Sequence, residues 1–140
     1  MASHDVFVLG CLSKALVHAG KGAEALNVAQ EMMRLDPAPP ADSHLIYGRA
    51  YFANGDFDNA AEAFETVGRL KPVWRLNWRL WLASFYANAG RLDDARAIAS
   101  KLVGNDPFLN IVSATIVEPY LRERDLEPFL DGLRKAGVPN

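Results

Sequence analysis

A period of 35 residues constrains this chain more than any other feature. Gly20, Gly55 and Gly90 keep it, as do Ala25, Ala60 and Ala95, and again Pro37, Pro72 and Pro107. Three columns sharing one period mark copies of a single supersecondary unit. Each glycine lies in a polar break, "AGKG", "NGDFD" or "AGRLDD", where a residue free to take positive φ ends one helix before the next begins. Each proline follows "RLD", "RLK" or "GND". Its ring fixes φ and disfavours helix in the residue before it, so the second helix stops there. The unit is therefore a helical hairpin, with Asp56 or Asp58 placed to cap the second helix of the middle copy.

Apolar residues inside the units recur at helical spacing: Leu9, Leu12 and Leu16, then Tyr47 and Tyr51 with Phe52, then Leu82 and Tyr86. These faces are expected to meet the second helices. There Leu26, Ala29, Met32 and Met33, then Ala61, Phe64 and Val67, then Ile98, Ala99 and Leu102 form the complement. The short side chains of the alanine column let the helix axes approach closely. A two-helix unit cannot bury such a face alone, so the units must stack.

The middle unit resembles the tetratricopeptide repeat, whose signature runs W-x2-L-G-x2-Y, then A-x3-F, then P. It reads His44, Tyr47, Gly48, Tyr51, Ala60, Phe64 and Pro72, departing at the first aromatic. The third reads Arg79, Leu82, Ala83, Tyr86, Ala95, Ala99 and Pro107, and the first Leu9, Leu12, Ser13, Leu16, Ala25, Ala29 and Pro37. The family's usual period is one residue shorter, and the loops "PAPPADS" and "PVWRLN" absorb the difference. The resemblance implies an all-α fold: three hairpins at about 6–40, 41–75 and 76–109, stacked as a short right-handed solenoid in one domain over 1–140. A C-terminal cap follows over 110–140, made of a short helix and an amphipathic helix.

The tail is similar to the end of the tetratricopeptide segments that follow the catalytic domain in many bacterial class III adenylate or guanylate cyclases. Leu126, Glu127, Phe129, Leu130, Gly132, Leu133, Arg134, Lys135, Ala136, Gly137 and Pro139 carry the likeness, without the Asp-Pro that commonly precedes them. It implies an accessory, signalling region of a cyclase-like bacterial protein, without the catalytic domain. Residues 125 to 137 are expected to form the capping helix. Leu126, Phe129, Leu130 and Leu133 share one face, Asp125 caps the start, Pro128 falls in the first turn, and Gly137 with Pro139 ends it.

Half of the 140 residues are hydrophobic and 23% are charged, the balance of a soluble globular chain. A formal net charge of -2 supplies no positive field for phosphates, so nucleic acid is not an expected partner. Cys11 is the only cysteine, so no disulfide within the chain is possible, and a cytoplasmic location is expected. The opening "MASHDVFVLGCLSKALVHAG" has no basic leader and is broken by Ser, Lys and His, which predicts neither a secretory signal nor membrane insertion.

Nothing in the sequence assembles a catalytic set, and no cofactor or metal is expected. His4, His18 and His44 are far apart, without short-spaced ligand partners. Cys11 lies among leucines with no base nearby and reads as a small buried hydrophobe. The acids of "NGDFD" and "GRLDD" recur at one point of the repeat, where carboxylates favour a helix start. Trp74, Trp78, Trp81 and Phe85 form one helical stripe, read as packing between the second and third units, with an interaction hot spot as the alternative. "IVSATIV" is read as a short helix capped by Asn110 and ending near Glu118, because a single strand has no partner in a helical array.

The tetratricopeptide resemblance implies a binding surface lined by the first helices. Aligned copies place there Phe7, Asp42 and Asn77; Gly10, Leu45 and Leu80; Lys14, Arg49 and Ser84; and Val17, Phe52 and Ala87. Apolar contacts beside Lys14 and Arg49 suit a protein or peptide with hydrophobic and acidic residues. A homodimerisation module, or an adaptor unrelated to cyclases, is the alternative. The Lys and Asn clamp by which some family members hold a chaperone's terminal carboxylate is not matched.

Overall fold

A computed structural model describes residues 2–71, 76–117 and 123–140, with side chains over 5–71, 78–114 and 126–140. These residues form the helices α1 (Ala2–His18), α2 (Gly22–Leu35), α3 (Ala41–Ala53), α4 (Phe57–Leu70), α5 (Leu76–Asn88), α6 (Leu92–Asn105), α7 (Ile111–Val117) and α8 (Glu123–Lys135), and no strand. The chain divides into two compact units, Met1–Trp74 and Arg75–Asn140.

The 35-residue period is written into the backbone. Gly20, Gly55 and Gly90 take φ of 78°, 74° and 85°. At each, the glycine N–H donates three residues back and the following N–H five back: Lys21 to Leu16 at 2.8 Å, Asp56 to Tyr51 at 3.0 Å, Arg91 to Tyr86 at 2.8 Å. This left-handed wrap satisfies the last carbonyls of the first helix and reverses the chain. Asp56 caps α4, its carboxylate accepting from the Asn59 N–H at 3.3 Å. Ahead of two of the prolines stands a second repeated device: Asp36 Oδ1 accepts from the Ala38 N–H and Asp106 Oδ1 from the Phe108 N–H, both at 3.0 Å. Lys71 occupies the equivalent place in the middle copy and has no acceptor to offer; Pro72 lies outside the described residues.

In the first unit, α1 and α2 form one hairpin and α3 and α4 the next, with α3 packed on both helices of the first. The second helices bury the same columns, Ala25, Ala29 and Met32 in α2, and Ala60, Phe64 and Val67 in α4. Opposite them the first helices compensate for volume. Gly48 faces Phe64, where a Cβ would lie 2.5 Å from the ring. Ala29 occupies the place of Phe64 in the first hairpin, and there Ser13 fits instead, its hydroxyl donating to the Ala25 carbonyl at 2.9 Å. The inward side of α1 is thus Gly10, Ser13 and Val17 rather than the Leu9, Leu12, Leu16 stripe. Leu12 stays 45% exposed, and Cys11, one step of about 100° from Gly10, is exposed rather than buried.

In the second unit, α5 and α6 repeat the hairpin, with Ala95, Ala99 and Leu102 in the same buried columns. Here α8 packs on α5. Gly132 makes the close crossing possible, because a Cβ there would overlap the Ser84 hydroxyl and lie 2.7 Å from Asn88 Nδ2. Ser84 Oγ donates to the Phe129 carbonyl at 2.8 Å and Asn88 Nδ2 to the Pro128 carbonyl at 2.9 Å. Phe129, Leu130 and Leu133 are buried as the amphipathic pattern predicts, while Leu126 is half-buried. The helix starts earlier than expected, so Pro128 falls in its interior and Asp125 in its first turn, not before it. Asn110 does cap α7: its Oδ1 accepts from the Ser113 N–H at 2.9 Å. Glu118 lies outside the described residues. The chain end returns to this point, the Ile111 N–H donating to the Pro139 carbonyl at 2.8 Å.

Candidate functional site

The expected binding columns are placed very differently in the two units. In the first, Phe7 (70% exposed) and Lys14 project from α1, and Asp42, Leu45 and Arg49 from α3, Leu45 and Arg49 being half-buried. The two helices adjoin here, because Gly10 comes so near Ile46 that a Cβ would lie 3.1 Å from its Cδ1. Val17 and Phe52 are buried; Phe52 meets Phe57 with ring centroids 5.8 Å apart. In the second unit, Leu80, Ser84 and Ala87 are buried in packing, and Ser84 is bonded to α8. Asn77 lies in α5, with its side chain outside the described residues. Five of the residues, Phe7, Lys14, Asp42, Leu45 and Arg49, thus present an accessible surface.

The aromatic stripe belongs to the core. Trp78, Trp81 and Phe85 are buried, and Trp81 stacks on Phe129 of α8 with centroids 4.2 Å apart and planes at 28°. Within the second unit its partner is the capping helix. Trp74 lies outside the described residues.

Alignment of the repeats did not reveal a polar cleft of about 210 Å3 in the first unit. His44, Tyr47 and Tyr51 line it from one face of α3, Asn59, Glu62, Ala63 and Thr66 from one face of α4, and Met33 from α2. The two tyrosine hydroxyls are 2.6 Å apart and the rings 4.6 Å between centroids. Burial, then the bond to Tyr51, with further contributions from Tyr51 and from the negative charges of Asp56 and Glu62, push the Tyr47 hydroxyl up to about 12. Burial also lowers His44, opposed by a hydrogen bond with the Pro39 backbone and assisted by the charge of Arg69. The only advance signal was that His44, Tyr47 and Tyr51 share a helical spacing with Glu62 three residues after Asn59 on the next helix.

Two family models for the tetratricopeptide repeat match the chain, one over residues 12–72 and one over 52–110. The chain is a tetratricopeptide-repeat protein. No curated protein matches it. The matched span runs from Leu12, within α1, to Asn110 and leaves α7 and α8 outside, which agrees with these two helices being additions to the repeat. Tetratricopeptide arrays serve protein–protein interaction and scaffolding, through faces exposed by stacked hairpins. Among the described residues no three His, Cys, Asp or Glu side chains gather as a metal site, and no helix is long and apolar enough to cross a membrane.

Proposed function

We propose that this tetratricopeptide protein is a non-catalytic interaction module that takes a peptide with apolar and acidic residues on the α1–α3 face of its first unit. The observation that carries this reading is that Phe7 and Lys14 are exposed on α1 and Leu45 and Arg49 half-exposed on α3, the helix that α1 approaches at Gly10 and Ile46. Apolar side chains give contact area, and the two cations give charge-assisted hydrogen bonds to carboxylates. A synthetic peptide alternating leucine and glutamate is the probe. Replacing Lys14, which is exposed, with Glu is expected to weaken its binding by about tenfold with helicity and melting unchanged, since exposed charges contribute little to folding, and Arg49→Gln, which keeps much of the half-buried side chain, should weaken it as well. Undiminished affinity in both variants would move the site elsewhere.

The tail supports a second reading, in which the chain is the accessory region of a bacterial, cytoplasmic cyclase-like signalling protein. Its support is the run from Leu126 to Pro139, whose apolar members and Gly132 seat α8 on α5. The isolated chain, given ATP or GTP with a divalent metal, is then expected to yield no cyclic nucleotide. A gene lacking a cyclase domain beside this region would remove the reading.

A further inference from the structure

The cleft between α3 and α4 lies on the side of α3 opposite the Asp42, Leu45, Arg49 stripe, since His44, Tyr47 and Tyr51 sit roughly half a turn round the helix from it. The repeat architecture does not demand its polarity. One period earlier the equivalent positions are Leu9, Leu12 and Leu16 on the first helix, with Asn27 and Val28 for Glu62 and Ala63; one period later Ala97 replaces Glu62. The middle repeat alone places a carboxylate against a pair of phenols.

We propose that this cleft receives the cationic end of a lysine or arginine side chain presented by a partner polypeptide. Its walls supply what such a group needs. Two phenol oxygens, the Glu62 carboxylate and the Asn59 carboxamide are hydrogen-bond acceptors, the Tyr47 and Tyr51 rings offer π faces, and Met33 and Ala63 give apolar contact for a methylene stem. The volume of about 210 Å3 suits one long side chain. The local field has the right sign, because the charges of Asp56 and Glu62 both act on the Tyr47 hydroxyl. Arg69 stands at the His44 end, where its Nη2 is 2.7 Å from the Thr66 hydroxyl, so the incoming cation takes the Tyr47–Tyr51 and Glu62 end. An anion is repelled there, and a neutral chain of the same length forgoes the carboxylate and the π faces. The inference extends the interaction reading to a second face, and the two fail separately: the acidic peptide tests α1 and α3, a cationic probe tests this cleft.

The test is a titration of the full chain, with its tyrosine rings labelled with carbon-13, by N-acetyl-lysine methylamide and N-acetyl-arginine methylamide in separate arms. N-acetyl-norleucine methylamide is the neutral control. At least one cation is expected to shift the Tyr47 and Tyr51 resonances saturably, and the arm that saturates at lower concentration identifies the preferred side chain. Norleucine is expected to leave them unmoved. Glu62→Gln, an exposed site where the side-chain length is kept, should weaken the cation about fivefold. Tyr51→Phe, which keeps the ring and removes a hydroxyl, should weaken it as well. Absence of a saturable shift with both cations, an equal response to norleucine, or undiminished binding to Glu62→Gln overturns the proposal.

Discussion

The two first helices α3 and α5 occupy the same place in consecutive repeats, yet they live in different surroundings. From Trp78 to Ala87 every residue of α5 except Arg79 is buried. Along α3, Asp42 is exposed and His44, Leu45, Tyr47, Arg49 and Tyr51 are half-buried. A helix that is apolar all round needs cover on all sides, and α5 has α6 on one side and α8 on another. The polar and amphipathic faces of α3 remain accessible. One copy of the repeat is thus enclosed at the chain end, while the other keeps the accessible faces on which the proposed binding rests.

The sharpest way to break that comparison is to loosen the cover of α5. Phe129→Ala removes the ring stacked on Trp81 and is expected to cost about 3–5 kcal/mol. Tryptophan fluorescence melting should report it, since Trp78 and Trp81 both lie in α5. Amide exchange should show the loss of protection concentrated in α5 to α8; an equal loss in α1 to α4 would end the division of roles.

A smaller effect is expected at the hairpin contact of α3. Gly48→Ala sets a methyl group against the Phe64 ring and should destabilise by about 1–3 kcal/mol. Adding Phe64→Leu should recover part of it, whereas strictly additive losses in thermal melting would deny the volume coupling. The smallest effect concerns His44. Its lowered pKa means that folding favours the neutral ring, so its contribution is full above about pH 6.5 and is lost as the pH falls through the folded value. Melting of the wild type should decline on acidification through that window more than that of His44→Gln; identical profiles would remove His44 from the account.

The repeat was legible because its signals are local. A glycine that takes positive φ, an alanine in a helix contact and an aspartate or asparagine at a cap act within a few residues, so Gly55, Ala60, Asp56 and Asn110 could all be placed from the sequence. Spacing says which residues share a helix face and is silent about what covers that face. For that reason the alignment put Leu80 and Ser84 beside Leu45 and Arg49, although α8 packs on α5 and takes up Ser84. The inward side of α1 was misread on the same grounds: Leu12 is larger than Gly10 or Ser13, but the close approach of α2 and α3 selects the small residues. The start of α8 was placed late because Pro128 was given the first turn, the position where a missing N–H costs nothing. The cleft was hidden for another reason, since the residues that make it differ from one copy to the next.

The matched pair Gly48 and Phe64 also bears on how such a chain can be rearranged in evolution. At the equivalent positions the first and third hairpins bury Ser13 with Ala29 and Ala83 with Ala99, so the small and large residues are apportioned differently in each hairpin. Recombination at the prolines moves a hairpin whole and keeps these residues together. Recombination at the glycine turns parts them, joining Ser13 to Phe64 in one product and Gly48 to Ala29 in the other, one overfilled and one hollow. The hairpin, rather than the single helix, is therefore the piece that can be exchanged with its fit of small and large residues intact.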